Sequence, residues 1–133
     1  MKVAISSTGR NLESPVDPRF GRCPYFIIVD VETLAYEVIS NSTVGTLHGA
    51  GIQAAQLVAS KGVGAILTGN IGPNAFKALS AVGVEVLTGA SGTVKQALER
   101  FKRGELSSSV KPTVGGHFGQ GGRGVDRGRG RRP

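Results

Sequence analysis

Apolar positions at the start of the chain are spaced as in strands. Residues 3–6 form a short apolar run, and residues 25–29 and 34–39 are rich in β-branched and aromatic side chains. The segment 30–33 between the last two runs suits a tight reversal, so the pattern predicts an antiparallel hairpin. Residues 7–24 carry three prolines and form a long loop between the first two predicted strands; a loop of this length in a compact domain is usually functional or disordered.

Further along the chain, helical and strand patterns alternate. Apolar residues at helical spacing run from residue 50 towards residue 61, and Gly62 is a stop signal. Short apolar runs at residues 63–67 and 84–87 predict two more strands. Pro73 suits the first position of a second helix, and Thr93 with Gln96 forms a capping-box pair that opens a third.

This order of elements predicts an α/β fold. Two β-α-β units with short loops require parallel neighbouring strands joined by right-handed crossovers, and the hairpin adds one antiparallel strand. The most economical arrangement is a mixed five-stranded sheet of order 3-2-1-4-5 with three helices packed against it, as in the ribonuclease-H-like three-layer fold. A flavodoxin-like sheet is the alternative, but the early hairpin argues against it.

Charge is distributed unevenly along the chain, whose net formal charge is +7. Residues 1–110 hold 10 basic and 8 acidic groups, whereas residues 111–133 hold 6 basic groups, one acidic group and 8 of the 21 glycines. We therefore expect an α/β domain over residues 1–110 and a disordered Gly/Arg-rich basic tail over residues 111–133. The single cysteine excludes an intrachain disulfide. Without a stretch of roughly 20 apolar residues, we expect a cytoplasmic protein with no membrane partner.

The predicted topology places a ligand site at one edge of the sheet. The carboxyl ends of strands one, three, four and five and the beginning of strand two share this edge, which we call the carboxyl edge. The segments that converge there are rich in Gly, Ser, Thr and Asn and comprise residues 7–24, 40–49, 68–74 and 88–93. Open α/β sheets bind ligands beyond their strand ends, and three of these segments lead into helix N-termini, which favour anions.

Several side chains at the carboxyl edge suit metal or anion binding. They are Arg10, Arg19, Arg22, Cys23 and His48. Neighbouring arginines are expected to lower the pKa of Cys23 and favour an exposed thiolate that binds a soft metal, with His48 as a second ligand. Glu13 and Asp17 are the only carboxylates expected there, and no acid–base constellation is visible. The sequence therefore predicts a binding edge rather than an enzyme active site.

Each of these features also has a purely structural interpretation. Cys23 can be a space-filling residue, His48 can simply precede a helix, and residues 68–73 can be an ordinary strand-to-helix turn. Residues 49–54 fit the dinucleotide pattern G-x-G-x-x-A, but they do not follow the first strand and lack the later acidic residue. Dinucleotide binding is therefore disfavoured.

Three ordered motifs within residues 1–106 carry a family resemblance. They are FGRCPYF at residues 20–26, HGAG at residues 48–51 and TGNIGP at residues 68–73. The chain resembles the dinitrogenase iron–molybdenum cofactor biosynthesis family, which includes small cluster-carrier proteins and the orange protein.

The resemblance implies a non-catalytic function. The chain would bind and carry, or store, an anionic iron–sulfur or molybdenum–iron–sulfur cluster, in exchange with metallocofactor assembly proteins. Carried over by motif, the implied contacts are Arg22, Cys23, His48, Gly49, Gly69 and Asn70, with Cys23 and His48 as metal ligands.

A second hypothesis remains open. The chain can be an interaction module whose basic tail docks nucleic acid or an acidic protein. Nucleic acid is the weaker of these two partners, because Phe118 is the only aromatic residue within the tail. We expect a monomer or a weak homodimer.

Overall fold

The computed structural model describes residues 1–41 and 49–108. Within these ranges the strands are β1 (Lys2–Ser7), β2 (Tyr25–Asp30), β3 (Tyr36–Ser40), β4 (Ala65–Leu67) and β5 (Glu85–Leu87). The helices are α1 (Ala50–Ala59), α2 (Pro73–Ala81) and α3 (Val94–Lys102), and one 3-10 turn (Phe20–Arg22) interrupts the long loop. His48 and the predicted tail, residues 111–133, lie outside the described residues.

The strands form one mixed sheet of order β3-β2-β1-β4-β5. β1 pairs antiparallel with β2 and parallel with β4, β2 pairs antiparallel with β3, and β4 pairs parallel with β5. The predicted topology, with its early hairpin and two parallel crossovers, is confirmed. No helix in the described residues is long and apolar enough to cross a membrane.

Helices cover both faces of the sheet, so the fold has three layers. On one face, α1 and α2 pack against a cluster that includes Ala4, Ile28 and Ile66. On the other face, α3 packs against a cluster that includes Val3 and Ile27. Because successive strand residues point to opposite faces, central strands buried on both sides have a continuous apolar run, as β1 has at residues 3–5 and β2 at residues 26–29.

The hairpin turn is longer than the apolar pattern predicts. The Asp30 carboxylate accepts hydrogen bonds from the N–H groups of Glu32 (2.9 Å) and Thr33 (3.2 Å), and these bonds lower the pKa of Asp30. Leu34 then takes a left-handed conformation with φ of 67°. β3 consequently begins at Tyr36, two residues later than predicted, because Leu34 is apolar but belongs to the turn.

Helix boundaries follow the local signals in the sequence. Gly62 and Gly83, which follow α1 and α2, have positive φ values of 75° and 79°. Thr93 Oγ1 accepts a hydrogen bond from the N–H of Gln96, and the Gln96 side chain accepts one from the N–H of Thr93. The predicted capping box of the third helix is confirmed.

Candidate functional site

The long loop between β1 and β2 is fastened across the carboxyl edge by backbone hydrogen bonds. The N–H of Asn70 donates to Pro18 O at 2.8 Å, and the N–H of Phe20 donates to Asn70 O at 3.3 Å. On the other side of the loop, the N–H of Val16 donates to Gly92 O at 2.8 Å. The loop is therefore held against the connections that follow β4 and β5.

Gly69 allows this close approach of the loop. A Cβ atom at Gly69 would lie 2.7 Å from Pro18 Cα and 3.0 Å from Pro18 O, closer than ordinary van der Waals contact. The predicted role of Gly69 as a cluster contact stays a prediction, and the structure supplies a packing reason for the glycine. Its effect is to place Asn70 beside the 3-10 turn.

A groove of about 390 Å³ lies between the 3-10 turn and the N-termini of α1 and α2. Its lining residues are Arg19, Phe20, Gly21, Gly49, Gly51, Asn70, Gly72, Pro73, Asn74 and Ala75. A Cβ atom at Gly21 would lie 3.3 Å from Gly51 Cα, and one at Gly51 would lie 3.3 Å from Ala75 Cβ. Small residues thus bring the three backbone segments together around the groove.

Both helices direct their positive ends towards this groove. Their N-cap residues are glycines, Gly49 and Gly72, which have no side-chain oxygen to accept the first N–H groups of the helix. The backbone N–H groups at a helix N-terminus carry partial positive charge and favour an anion. The groove is therefore suited to a negatively charged ligand.

The third helix start does not contribute in the same way. Thr93 caps α3, the N–H of Val94 donates to Ser14 O, and the N–H of Lys95 donates to Leu12 O, both at 2.9 Å. The expectation that the N-terminus of the third helix offers free donors is therefore wrong. The long loop itself occupies the donors of α3.

Cys23 is fully buried beneath the groove, and the expectation of an exposed thiolate is wrong. Its side chain is 0 % exposed, and Sγ donates to Phe20 O at 3.3 Å. Burial, and after it the negative charge of Asp17, raise the pKa of Cys23 from 9.0 to about 12. Arg22 is exposed and does not offset this desolvation. Metal ligation by Cys23 stays a prediction and requires that the thiol leave the core.

The other predicted contacts are placed differently from one another. Gly49 and Asn70 line the groove. Arg22, the last residue of the 3-10 turn, is not among the lining residues. His48 directly precedes Gly49 but lies outside the described residues, so its predicted role as a ligand stays a prediction. In the described residues, no group of three or more His, Cys, Asp or Glu side chains is placed to hold a metal ion.

The sequence placed both Arg19 and Arg22 at the carboxyl edge, but only Arg22 was among the contacts that the resemblance implied. Arg19 lines the groove, and its guanidinium is held by Asp17 through Nε–Oδ1 and Nη2–Oδ2 distances of 3.3 and 3.4 Å. Asp17 is 2 % exposed, whereas the Arg19 side chain is 66 % exposed. The hydrogen bond and charge of Asp17 raise the pKa of Arg19. The Asp-Pro-Arg spacing was the available signal, since Asp favours a turn two residues on.

Comparisons with known proteins agree with this fold. The apo form of the orange protein from Desulfovibrio gigas is 42% identical, with a TM-score of 0.82, over 84% of this chain and 95% of that one. A proposed NifB protein from Thermotoga, assigned to the DUF35 family, is also 42% identical, with a TM-score of 0.72, over 80% and 91% of the two chains.

A curated relative and a family model extend the comparison. An uncharacterized protein of Methanocaldococcus jannaschii is 33% identical over 109 residues, which are 80% of this chain and 89% of the relative. The model of the family described as dinitrogenase iron-molybdenum cofactor matches residues 1–104. The chain therefore belongs to the dinitrogenase iron–molybdenum cofactor family.

Proposed function

We propose that this protein binds an anionic iron–sulfur or molybdenum–iron–sulfur cluster without transforming it, and carries or stores the cluster during metallocofactor biosynthesis. The observation that carries the proposal is the groove at which two glycine-capped helix N-termini meet, in a member of this family. A cluster assembled elsewhere brings its own sulfides and negative charge. Such a cargo can be held by hydrogen-bond donors and a cation, with few covalent ligands.

The hydrogen-bond donors around the groove suit non-covalent binding of a cluster. The first turns of α1 and α2 offer backbone N–H groups, and Asn70 and Arg19 add polar side chains. Hydrogen bonds to anionic acceptors are stronger than those between neutral groups, so several together can retain a cluster. Each bond still breaks individually, which suits a carrier that must release its cargo.

Two predicted ligands belong to the proposal as optional contributors. His48 is next to Gly49 in the chain, and an imidazole there would act beside the N-terminus of α1. Cys23 would contribute after its thiol is uncovered. We propose metallocofactor assembly proteins as the donors and recipients of the cluster.

The test is anaerobic reconstitution of the full chain with ferrous iron, sulfide and tetrathiomolybdate. After gel filtration, bound metal and sulfide are analysed and the absorption spectrum is recorded. The wild-type protein is expected to retain a coloured complex. Asn74→Asp adds a carboxylate to the groove at the first turn of α2 and is expected to lose the coloured complex. The helix itself should tolerate the change, because the helix dipole favours an acid in the first turn.

Gln96→Glu is the matched control. It also adds one carboxylate to the first turn of a helix, but on α3, and Glu preserves the capping box. Equal retention by Asn74→Asp and Gln96→Glu would contradict binding in the groove. Loss of retention in His48→Ala would assign a ligand role to that side chain, and loss in Cys23→Ser would show that the thiol takes part.

A further inference from the structure

We propose that Asp17 is a positioning residue that fixes the Arg19 guanidinium at the groove, so that the guanidinium meets the anionic cargo in one orientation. This inference rests on the proposed function. The orientation of Arg19 is thereby assigned to the buried carboxylate of Asp17. The negative charge of that carboxylate would by itself oppose anion binding.

The Asp17–Arg19 pair is arranged side-on, with the Nε and Nη2 edge of the guanidinium facing the carboxylate. Arg19 Nε lies 3.3 Å from Asp17 Oδ1, and Nη2 lies 3.4 Å from Oδ2. A guanidinium has five N–H groups in a rigid plane. Two of them face Asp17 in this geometry, and the other three point away from the carboxylate. Because Arg19 lines the groove, these three N–H groups are the ones that its guanidinium can offer to an anion there.

Asp17 is itself fixed by the central strands. Its N–H donates to Ser6 O at 2.9 Å, and its carbonyl accepts a hydrogen bond from Ser6 Oγ at 2.6 Å. Ser6 lies in β1, and its hydroxyl is hydrogen-bonded to Thr68 Oγ1 at 2.8 Å, directly after β4. The backbone of Asp17 is therefore anchored to β1, the middle strand of the sheet, and through Ser6 to the residue that follows β4.

The negative charge of Asp17 has no other evident use in its turn. Asp17 Oδ1 also accepts the N–H of Arg19 at 2.9 Å, but an Asn side chain makes the same turn without burying a charge. Burying a carboxylate costs free energy of desolvation unless it is paired. Within residues 1–41 and 49–108, the Arg19 guanidinium is the group that pairs with it. The charge thus acts on the arginine side chain, whereas the turn needs only an acceptor oxygen.

This arrangement predicts that the effect of the Asp17 charge on anion affinity changes sign when Arg19 is removed. A merely structural role of Asp17 would not give this change of sign. With Arg19 present, the Asp17 charge orients a cation towards the groove and favours anion binding. Without Arg19, the same carboxylate is an uncompensated negative charge near the groove and opposes anion binding. Removing the charge should therefore have opposite effects in the two backgrounds.

The experiment measures the dissociation constant of tetrathiomolybdate for the full-length protein by anaerobic titration. Asp17→Asn is expected to weaken binding about tenfold, since an oriented charge-assisted donor becomes a mobile one. Arg19→Gln is expected to weaken it at least as much. The Asp17→Asn, Arg19→Gln double variant is expected to bind more tightly than Arg19→Gln alone. Equal weakening by Asp17→Asn in both backgrounds would overturn the positioning role.

Arg19→Lys keeps the positive charge but replaces the planar fork by a single ammonium group. We expect it to weaken binding about as much as Asp17→Asn, and wild-type affinity in this variant would overturn the inference. Because the Arg19 side chain is largely exposed, Arg19→Lys also decides the question if Asp17→Asn does not fold, which urea unfolding would reveal.

The Arg103–Glu105 pair provides a matched control elsewhere in the fold. It has the same spacing of two residues and the same side-on geometry, with Nε–Oε2 and Nη2–Oε1 distances of 2.9 and 3.3 Å, but it follows the C-terminal end of α3. Glu105→Gln is expected to leave the dissociation constant unchanged. A wild-type protein that does not bind tetrathiomolybdate overturns the proposed function and this inference together. Wild-type binding without the reversal overturns the positioning role alone.

Discussion

Because the thiol of Cys23 is buried, the free energy of unfolding is expected to depend on pH in the alkaline range. Its pKa is raised from 9.0 to about 12, first because burial desolvates the thiolate and second because Asp17 is negatively charged. The unfolded chain has the ordinary pKa. Between these two values the unfolded state loses the proton and the folded state keeps it. The contribution of Cys23 to the free energy of unfolding is therefore constant well below pH 9 and falls as the pH rises from 9 towards 12.

The size of this effect follows from the two pKa values. At pH 10 the free energy of unfolding is expected to be roughly 1–1.5 kcal/mol lower than at pH 7.5. Domains of this kind have a total stability of about 5–15 kcal/mol, so the loss is measurable without unfolding the protein. With a urea m-value of about 1–3 kcal/mol/M, the unfolding midpoint would move by roughly 0.3–1.5 M.

The assay is equilibrium urea unfolding between pH 7.5 and 10.5, under argon with a reductant present. Cys23→Ser is the control, because the serine hydroxyl does not titrate in this range and every other ionisable group is the same in both proteins. The stability difference between the two proteins isolates the thiol. A difference that stays constant with pH, as expected for a thiol with its ordinary pKa, would refute the buried neutral thiol.

Three further substitutions test the packing that builds the site. Gly69→Ala places a Cβ atom 2.7 Å from Pro18 Cα and should destabilise the fold by about 1–3 kcal/mol, measured by calorimetry; an unchanged melting temperature would contradict the close packing. Asn41→Ala removes a buried hydrogen bond from Nδ2 to Cys23 O (2.8 Å) and should lower the free energy of unfolding, measured with urea at neutral pH, by about 1–3 kcal/mol. A smaller loss than that caused by an exposed Asn→Ala change would contradict the role of this bond. Thr93→Ala breaks the capping box, should cost about 1 kcal/mol, and should speed amide hydrogen exchange in the first turn of α3.

Local sequence signals were sufficient for the order and type of the elements. The apolar run of β1, the prolines of the loop and the glycines after α1 and α2 act over a few residues, so they are legible without the fold. Short connections between parallel strands then leave few topologies, which is why the order of the five strands and the carboxyl edge were predicted. The turn around Leu34 was misjudged, because hydrophobicity does not report a left-handed conformation.

The residues of the candidate site also divide into those that were predicted and those that only the folded structure places. Gly49 and Asn70 were implied by the family resemblance, in segments that the predicted topology placed at the carboxyl edge, and both line the groove. Arg19 and Arg22 are equally basic and only three positions apart. Choosing between them requires the direction that each side chain takes around the 3-10 turn, and the apolar pattern does not contain this information.

By itself, the sequence determined a three-layer α/β domain with a polar, glycine-rich edge. Tertiary structure alone decided which groups at that edge are available. The donors of α3 are occupied by Leu12 and Ser14, about 80 residues earlier in the chain. Cys23 is withdrawn into the core because the 3-10 turn directs its side chain inward, and Asp17 is paired because β1 holds it against Arg19. Exposure and pairing depend on contacts between distant segments, and those contacts exist only once the chain has folded.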